Sequence, residues 1–565
     1  MKKEQLALNR RRFIAYFSTV GLGSTLLPGT LTAVVQDSDE ITVDMVIAAE
    51  KLAGLSFPTE MRERFAQELN GLRNNYKNIR EMKIDESVPP CFYFNPIPPG
   101  HEVIEPERDQ VSVSDINVAL PSTEEDLAFL PMTHLSTLIR SRQITSTDLT
   151  KLYISRLKKY NPVLNCVITI TEELALEQAK QADEEISSGN YRGPLHGIPW
   201  GAKDLISVKG YKTTWGAEPF KDQIIDEDAT VYKRLTDAGA VLVAKLVSGG
   251  LATGDTWFGG KTMNPWNPTS GSGGSSAGPG SATAAGLVGF SLGTETQGSI
   301  LSPSSRCGIT GLRPTFGLVS RHGVMPLSWS MDKIGPMCRS AEDCAIVLNA
   351  IYGPDGYDLS VLNRSFKWDT SIDLKKIRVG YIQRSFEPQA ERGGRISGGG
   401  SSGRENNMKA LEVIKSLGVE LIPLELPSSI SSANLGFVLH TEGAAVFDEI
   451  VMNGDIDSMT NSNRPYRFRA RRFIPAVEYI QANRVRTLLI QNLNKALKDI
   501  DVYIGGSTGL TNSTGHPALT LPSGFSSGIP TSLSFIGNLF RDAEMLAIAR
   551  AFQNRTDHHL QHPSL

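Results

Sequence analysis

One lysine and two serines of this chain have the side-chain types that can together make a nucleophile. Lys203 lies in the apolar run GIPWGAKDLI, and Ser275 and Ser299 lie in the stretch GSGGSSAGPGSATAAGLVGFSLGTETQGSI, from Gly271 to Ile300. A serine hydroxyl becomes a strong nucleophile when a base takes its proton, and neither serine has a histidine near it in the sequence. A lysine in an apolar setting can be that base, because burial disfavours the ammonium form and lowers its pKa.

The second serine offers the proton a route to the lysine. The Ser275 hydroxyl can accept one proton while it donates its own to Lys203. Glycines beside Ser299 allow consecutive backbone N–H groups to converge, as an oxyanion hole requires. The pattern predicts attack on a carbonyl group by a serine. Considered alone, Lys203 has a simpler interpretation, a surface lysine paired with Asp204.

Two other interpretations of the Gly/Ser stretch are disfavoured. A flexible linker would not run directly into SATAAGLVGFSLG, whose small residues suit a buried helix. Gly274–Gly278 also matches the G-x-S-x-G pattern, in which Ser276 would be the nucleophile. That pattern needs a hydrophobic strand before it, and the preceding residues, NPWNPTSGSG, are too rich in proline for a central strand.

Composition limits the classes of protein. The 565 residues are 40% apolar and 21% charged, which predicts a packed core. A net charge of −3 provides no basic field for nucleic acid, so no nucleic-acid partner is expected. The five cysteines are scattered and form no CxxC pair, so the sequence predicts neither a metal site nor a disulfide framework.

The N-terminus resembles an export signal. Residues 9–15, NRRRFIA, resemble the twin-arginine motif, and a mildly apolar segment follows from Phe13 to Val35. We therefore expect residues 1–35 to be a twin-arginine-type signal segment and the protein to be exported, periplasmic or secreted. No stable membrane span is expected after removal of the signal, and an uncleaved membrane anchor or a cytoplasmic location are the alternatives.

The rest of the chain divides into two predicted parts. Residues 36–120 read as a helical and then extended, proline-rich strap, with the helical part over 43–82. Residues 121–565 read as the catalytic domain, with helices from about Ser146 and over Thr171–Ser187. Short apolar runs then alternate with helices, which predicts an α/β architecture with a mixed sheet. These runs are 239–247, 281–292, 378–382, 419–426 and 501–506.

Several segments in order resemble the amidase signature family. They are GPLHGIPWGAKDLISVKGYKTTWG (193–216), AGAVLVAKL (238–246), GGSSAGPGSATAAGLVGFSLGTETQGSI (273–300), CGITGLRPTFGLVSRHGVMPLSWSMDKIGPMCRSAEDCA (307–345) and TGHPALTLPSGFSSGIPTSLSFIGNLFRDAEMLAIARAF (514–552). The similarity covers most of residues 121–565 and is much weaker over 350–500. The resemblance implies the amidase signature fold, a central mixed β-sheet covered by α-helices on both sides.

The same resemblance implies roles for individual residues. Lys203 would be the base, Ser275 the relay serine reached through a cis peptide bond, and Ser299 the nucleophile. The backbone N–H groups of the loop would form the oxyanion hole. That loop comprises Thr296, Gln297, Gly298 and Ser299. No metal and no organic cofactor would be needed.

Two positions depart from the family pattern T-D-T-G-G-S-I-R. Gln297 stands where the family has glycine, so a backbone angle suited only to glycine would be strained there, unless the backbone is ordinary. Leu301 replaces the usual arginine and removes a charge from just behind Ser299. Neither change touches the three catalytic positions.

The sequence therefore predicts an amide hydrolase that releases ammonia or an amine from a small-molecule carboxamide through an acyl-enzyme. His322 and His516 are interpreted as structural residues. Two alternatives stay open: the amidase (A) subunit of a glutamine-dependent aminoacyl-tRNA amidotransferase, which would need partner subunits, and an inactive binding homologue. The substrate and the oligomeric state do not follow from the sequence.

Overall fold

The computed structural model describes residues 40–82, 111–387, 401–428, 435–461 and 463–565. The predicted signal segment lies outside these ranges, as does 83–110 of the predicted strap, so export stays a prediction. Within the described ranges, no helix combines the length and the hydropathy that crossing a membrane requires.

The strands of the described residues are short. They are β1 (Val167–Ile170), β2 (Pro199–Lys203), β3 (Val241–Leu246), β4 (Thr256–Trp257), β5 (Gly260–Lys261), β6 (Met263–Asn264), β7 (Asn267–Gly271), β8 (Phe290–Glu295), β9 (Thr310–Arg313), β10 (Lys333–Cys338), β11 (Val379–Tyr381), β12 (Leu421–Pro423), β13 (Val502–Ile504), β14 (Ala518–Ser526) and β15 (Ile529–Gly537).

Helices precede, separate and follow these strands. They are α1 (Val43–Ala53), α2 (Arg62–Glu81), α3 (Glu124–Ala128), α4 (Met132–Arg140), α5 (Ser146–Leu164), α6 (Glu172–Ser187), α7 (Thr230–Asp237), α8 (Ala277–Ala284), α9 (Leu301–Cys307), α10 (Ala341–Ile351), α11 (Ser401–Ser416), α12 (Gly436–Val446), α13 (Asp448–Met452), α14 (Arg464–Arg471), α15 (Ala476–Ala496), α16 (Gly509–Thr514) and α17 (Asp542–Gln553).

One mixed sheet organises the described part of the chain. Eleven strands pair in the order β1-β3-β2-β8-β10-β9-β14-β15-β13-β11-β12. The inner strand β2 runs parallel to both β3 and β8, whereas β10 runs antiparallel to β8 and β9. This arrangement confirms the predicted α/β fold with a mixed sheet.

The two faces of the sheet are covered by different helices. Leu242 of β3 belongs to a buried cluster that includes residues of α4 and α10. Val241 and Val243, which point to the opposite face because side chains alternate along a strand, pack in another cluster with α6 and α8. Strand β3 is thus buried on both faces, which its largely apolar sequence, VLVAKL, favours.

The two N-terminal helices pack on the C-terminal helical region. Phe65, Leu69 and Leu72 of α2 share a buried cluster with Phe468 of α14 and Leu489 of α15. The predicted helical segment over 43–82 is therefore present as two helices, separated by a short break. The division of the chain at residue 120 stays a prediction.

Most element predictions hold, and one run is divided between a helix and a strand. The helix from Ser146, the helix that ends at Ser187 and the strands within 239–247, 378–382, 419–426 and 501–506 are present. The run 281–292 is divided between two elements, since α8 continues to Ala284 and β8 begins only at Phe290. The small residues there suit a helix packed tightly against the sheet, and all of α8 is buried.

Candidate active site

Lys203 ends the inner strand β2, all five residues of which are buried. Its Nζ lies 2.9 Å from Ser275 Oγ and 2.8 Å from Thr294 Oγ1. Because β2 and β8 are parallel neighbours, their carboxyl ends meet at one edge of the sheet and bring Lys203 beside the end of β8. The lysine thus faces two hydroxyl groups inside the protein.

Burial lowers the pKa of Lys203 to about 7, against a partial opposing effect of the carboxylates of Asp332 and Glu295. The alternative of a surface lysine paired with Asp204 is wrong. Lys203 is fully buried, and Asp204 instead pairs with Lys245 at 2.8 Å. A substantial fraction of Lys203 is therefore neutral near pH 7.

The segment that carries Ser275 is held on two sides. The Gly274–Ser275 peptide bond is cis, as the resemblance implies. Gly274 has no room for a side chain, because a Cβ there would lie 1.9 Å from the carbonyl oxygen of Gly254. The backbone N–H of Gly249 donates to the Ser275 carbonyl at 3.0 Å, which fixes the serine beside the lysine.

Ser276 is occupied by contacts with the sheet. Its hydroxyl donates to the Thr294 carbonyl at 3.1 Å and accepts from the Thr294 N–H at 3.2 Å. Its backbone N–H donates to the carbonyl of Ser299 at 3.1 Å and so joins the two serine-bearing segments. The fully buried Ser276 side chain is thus a structural link, which argues against its being the nucleophile.

The loop between β8 and α9 comprises residues 296–300 and carries Ser299, whose side chain is almost buried, at 8% exposure. Within the described ranges no hydrogen bond takes up the backbone N–H groups of Thr296, Gln297, Gly298 or Ser299. Gly298 has a φ of +86°, a conformation that favours glycine. Gln297 is not among the residues with positive φ, so its backbone is ordinary and no strain follows from the replacement.

A buried ion pair lies behind this loop. The Glu295 carboxylate accepts the N–H groups of Ile300 and Leu301 at 2.8 and 2.9 Å, and Arg313 Nη1 lies 2.9 Å from its other oxygen. Burial raises the pKa of Glu295, whereas Arg313 and the two N–H groups lower it, and the net result is a pKa below its ordinary value. Arg313 of β9 thus places a positive charge, paired with Glu295, behind the loop that carries Ser299.

One cavity of about 260 Å³ contains the Ser299 side chain, and we name it the Ser299 cavity. Its walls come from the 252–254 loop, the 296–299 loop, α12 and α14. They comprise Ala252, Thr253, Gly254, Gly274, Thr296, Gln297, Ser299, Leu327, Leu439, His440, Arg464, Arg467 and Arg471. An adjacent cavity of about 220 Å³ shares Ala252, Thr296 and Leu327 with it.

The two histidines interpreted as structural lie elsewhere. His322 lines the adjacent cavity, where its ring stacks on Tyr357 and lies 3.2 Å from Glu227. His516 is buried against Thr514, and burial lowers its pKa to about 4. Neither ring lines the Ser299 cavity. Of the residues that the structure describes, no three or more His, Cys, Asp or Glu side chains are grouped so that they could hold a metal ion.

The family of the chain follows from comparison with known sequences. A family model described as Amidase matches residues 148–510, and the chain therefore belongs to the amidase signature family. It is 32% identical to the glutamyl-tRNA(Gln) amidotransferase (A) subunit of Coxiella burnetii over 481 residues, which cover 76% of this chain and 97% of that protein. The chain is accordingly an enzyme that acts on amide C–N bonds.

Solved structures of the family resemble this one. The native peptide amidase from Stenotrophomonas maltophilia is 27% identical, with a TM-score of 0.67, over 75% of this chain and 96% of that one. An amidase family protein from Bacillus anthracis is 25% identical, with a TM-score of 0.69, over 78% of this chain and 94% of that one. These likenesses confirm the amidase signature fold.

Several residues of the site were not found from the sequence. Thr294, Glu295 and Arg313 lie in segments that resemble the family, but nothing local indicates their contacts, which join strands that are neighbours only in the sheet. The arginines of the Ser299 cavity do have a local signal in the sequence. The run RPYRFRARR places Arg464, Arg467 and Arg471 at helical spacing, on one face of a helix.

Breaking the Glu295–Arg313 pair is expected to destabilise the fold. Glu295→Gln keeps an acceptor for the loop N–H groups but leaves Arg313 buried without a counter-charge, which lowers the free energy of unfolding by about 3–5 kcal/mol. In the double variant Glu295→Gln/Arg313→Met, part of this loss is recovered. Urea unfolding followed by tryptophan fluorescence measures both. Asp226→Asn, in an exposed pair with Lys209, is the control and changes stability by about 0.5 kcal/mol or less. Additive losses in the double variant would contradict the pairing.

Proposed function

We propose that this enzyme hydrolyses amides through an acyl-enzyme at Ser299, with Ser275 and Lys203 as the proton relay. The observation that carries the proposal is the 2.9 Å contact between the buried Lys203 Nζ and Ser275 Oγ, on a segment joined to Ser299 through Ser276. A lysine with a pKa of about 7 is matched to proton transfer at neutral pH.

The reaction proceeds in two stages, acylation and hydrolysis. Ser299 Oγ forms a bond to the amide carbonyl carbon while its proton passes to Ser275 Oγ, and the Ser275 proton passes to neutral Lys203. The N–H groups of the 296–299 loop stabilise the resulting oxyanion. The proton then returns through Ser275 to the amide nitrogen, the C–N bond breaks, and ammonia or an amine leaves. Water attacks the acyl-enzyme with the same relay and releases the acid.

Labelling with a fluorophosphonate tests the nucleophile. The probe is expected to attach at Ser299, and peptide mapping identifies the adduct. Ser299→Ala and Lys203→Met abolish labelling and lower amide turnover by at least about 10³-fold, because either change removes a member of the relay. Ser276→Ala, whose hydroxyl contacts only the sheet, keeps the label at Ser299. An adduct at Ser276 would refute the assignment, and the absence of any adduct would favour an inactive binding homologue.

The pH dependence of kcat/KM tests the base. Because the reaction needs neutral Lys203, kcat/KM rises with pH up to about 7 and is level above it, falling about tenfold per unit below. Asp332→Asn removes a carboxylate that raises the pKa of Lys203 and keeps an acceptor for Thr296, so the midpoint moves to lower pH. The pH profile is measured only over the pH range in which tryptophan fluorescence shows that the protein is folded. A level profile down to pH 5 would exclude a lysine base.

The first candidate for the biological role is a self-sufficient amidase that acts on a small carboxamide. The position of the N-terminal helices supports it: α1 and α2 lie outside the residues that match the family model, and α2 packs on α14, which lines the Ser299 cavity. Export under the predicted twin-arginine segment belongs to this candidate.

The second candidate is the amidase subunit of a glutamine-dependent amidotransferase. The names of the relatives favour it over the first candidate, since the sequence match extends over 97% of a glutamyl-tRNA(Gln) amidotransferase (A) subunit. In this role the same chemistry would release ammonia from glutamine, and partner subunits would use it.

The activity of the isolated chain distinguishes the two roles. If the chain is self-sufficient, the purified protein releases ammonia from small carboxamides at a rate that no partner subunit increases. Ammonia release is measured by a coupled dehydrogenase assay, and the mass of the native assembly is measured by light scattering. Ser299→Ala is the control for contaminating amidases. A chain that is silent alone and purifies with other subunits from its own cell would support the amidotransferase role instead.

A further inference from the structure

The Ser299 cavity carries an excess of positive charge. Three arginines of α14 line it, and none of the lining residues is acidic. Arg464, Arg467 and Arg471 occupy positions i, i+3 and i+7, which lie on one face of the helix. The cavity therefore presents guanidinium groups to the same space that holds the Ser299 hydroxyl.

Two of these arginines, Arg464 and Arg471, form no ion pair in the part of the chain that the structure describes, although the Glu68 carboxylate acts on Arg471 through its charge. Arg467 is half exposed and forms an ion pair with Glu68 of α2 at 3.2 Å. Arg464 is buried and donates to the backbone carbonyls of Gly250 and Leu251, and its Nε has no hydrogen-bond partner among the described atoms. Arg471 contacts the face of Phe468. An uncompensated buried charge is costly, so a bound anion would stabilise this arrangement.

The protonation states support the same conclusion. Burial and the neighbouring guanidiniums lower the pKa of Arg464 to about 9. Burial also lowers the pKa of Arg471 to about 10, against an opposing effect of the Glu68 carboxylate, and both groups stay charged at neutral pH. The same causes lower the pKa of His440 to about 3, so His440 is neutral and adds no charge. The net charge that a ligand meets in the cavity is positive.

We propose that the Ser299 cavity binds a substrate that carries a carboxylate in addition to the amide, and that Arg471 and Arg464 bind this carboxylate. The proposal rests on the proposed cleavage at Ser299. A guanidinium matches a carboxylate in shape and charge and can bind it through two parallel hydrogen bonds. A cavity of about 260 Å³ admits a small molecule, so one compound must bring both groups into it.

The N-terminal helix α2 adjusts this selectivity. Glu68 and Arg64 line an outer groove that shares His440 with the Ser299 cavity. The Glu68 carboxylate competes with a substrate carboxylate for Arg467. Glu68 is therefore a positioning residue that limits the positive charge offered to the ligand.

Matched pairs of amides test the proposal. Glutaramate and valeramide share a carbon chain and differ by a terminal carboxylate, as do succinamate and butyramide. The wild-type enzyme is expected to have a higher kcat/KM for the acid of at least one pair. We compare the kcat/KM for the acid of a pair with the kcat/KM for its neutral amide, as a ratio. Arg471→Gln lowers this ratio by about tenfold or more, because a charge-assisted contact is lost. Glu68→Gln raises the same ratio about twofold to fivefold. Opposite changes in two variants cannot both arise from damage to the fold.

Binding of glutarate, which contains no amide, separates this proposal from the proposed reaction. Calorimetry is expected to show that glutarate binds to the wild type and to Ser299→Ala. Its affinity is about tenfold or more lower in Arg471→Gln, and part of this affinity is retained in Arg471→Lys. The control is Arg472→Gln, which removes a cation paired with Asp448 outside the cavity and leaves the affinity for glutarate unchanged. Glutarate binding without amide hydrolysis would uphold the anion site and refute the reaction. Amide hydrolysis with equal preference for acid and neutral amide, and no glutarate binding, would overturn the anion site.

Discussion

The burial of one ammonium group is the constraint on which the site depends. Lys203 ends an inner strand of an eleven-stranded sheet, where both neighbours and both faces are covered, so its amine is removed from water. Its close partners are hydroxyl groups rather than a carboxylate, and hydroxyl groups stabilise a positive charge less than an ion pair does. The fold thereby produces an amine that can lose its proton near neutral pH. The neighbouring strand shows the contrast, because Lys245 is equally buried but is paired with Asp204.

A lowered pKa alone does not identify the base. Burial also lowers the pKa of Lys245, and burial together with Arg313 lowers that of Lys333 well below its ordinary value. Lys245 contacts Asp204 and Thr213, and Lys333 Nζ lies 3.4 Å from the Asn512 side chain. Lys203 alone of these three is within hydrogen-bond distance of a serine hydroxyl. The contact with Ser275, on the segment joined to Ser299, is therefore the observation that supports Lys203 as the proposed base.

The sequence was most informative where a local pattern determines the structure. The helix from Ser146 and the strand within 239–247 follow from side-chain periodicity, and the family motifs carried Lys203, Ser275 and Ser299. The roles of those three residues are still predictions, although the structure brings Lys203 and Ser275 into contact. Prediction was limited where contacts are long-range. Nothing near Glu295 indicates Arg313, because the contact exists only through the order of β8, β10 and β9 in the sheet. The run 281–292 contains the end of the predicted buried helix and the start of a strand, and no local signal marks the boundary, because small residues suit both elements.

Chemistry and selectivity come from different parts of the chain. The residues that would break the amide bond lie on the sheet and in its edge loops, within segments that match the family strongly. The arginines of the Ser299 cavity lie on α14, within 350–500, where the resemblance is much weaker, and α2 adds Glu68 from outside the matched residues. A sheet edge can keep its geometry while the helices packed over it change, because the two share few backbone constraints. The features that would recognise a substrate under the proposed function therefore lie where the resemblance to the family is weaker or absent. In this chain those features are cationic.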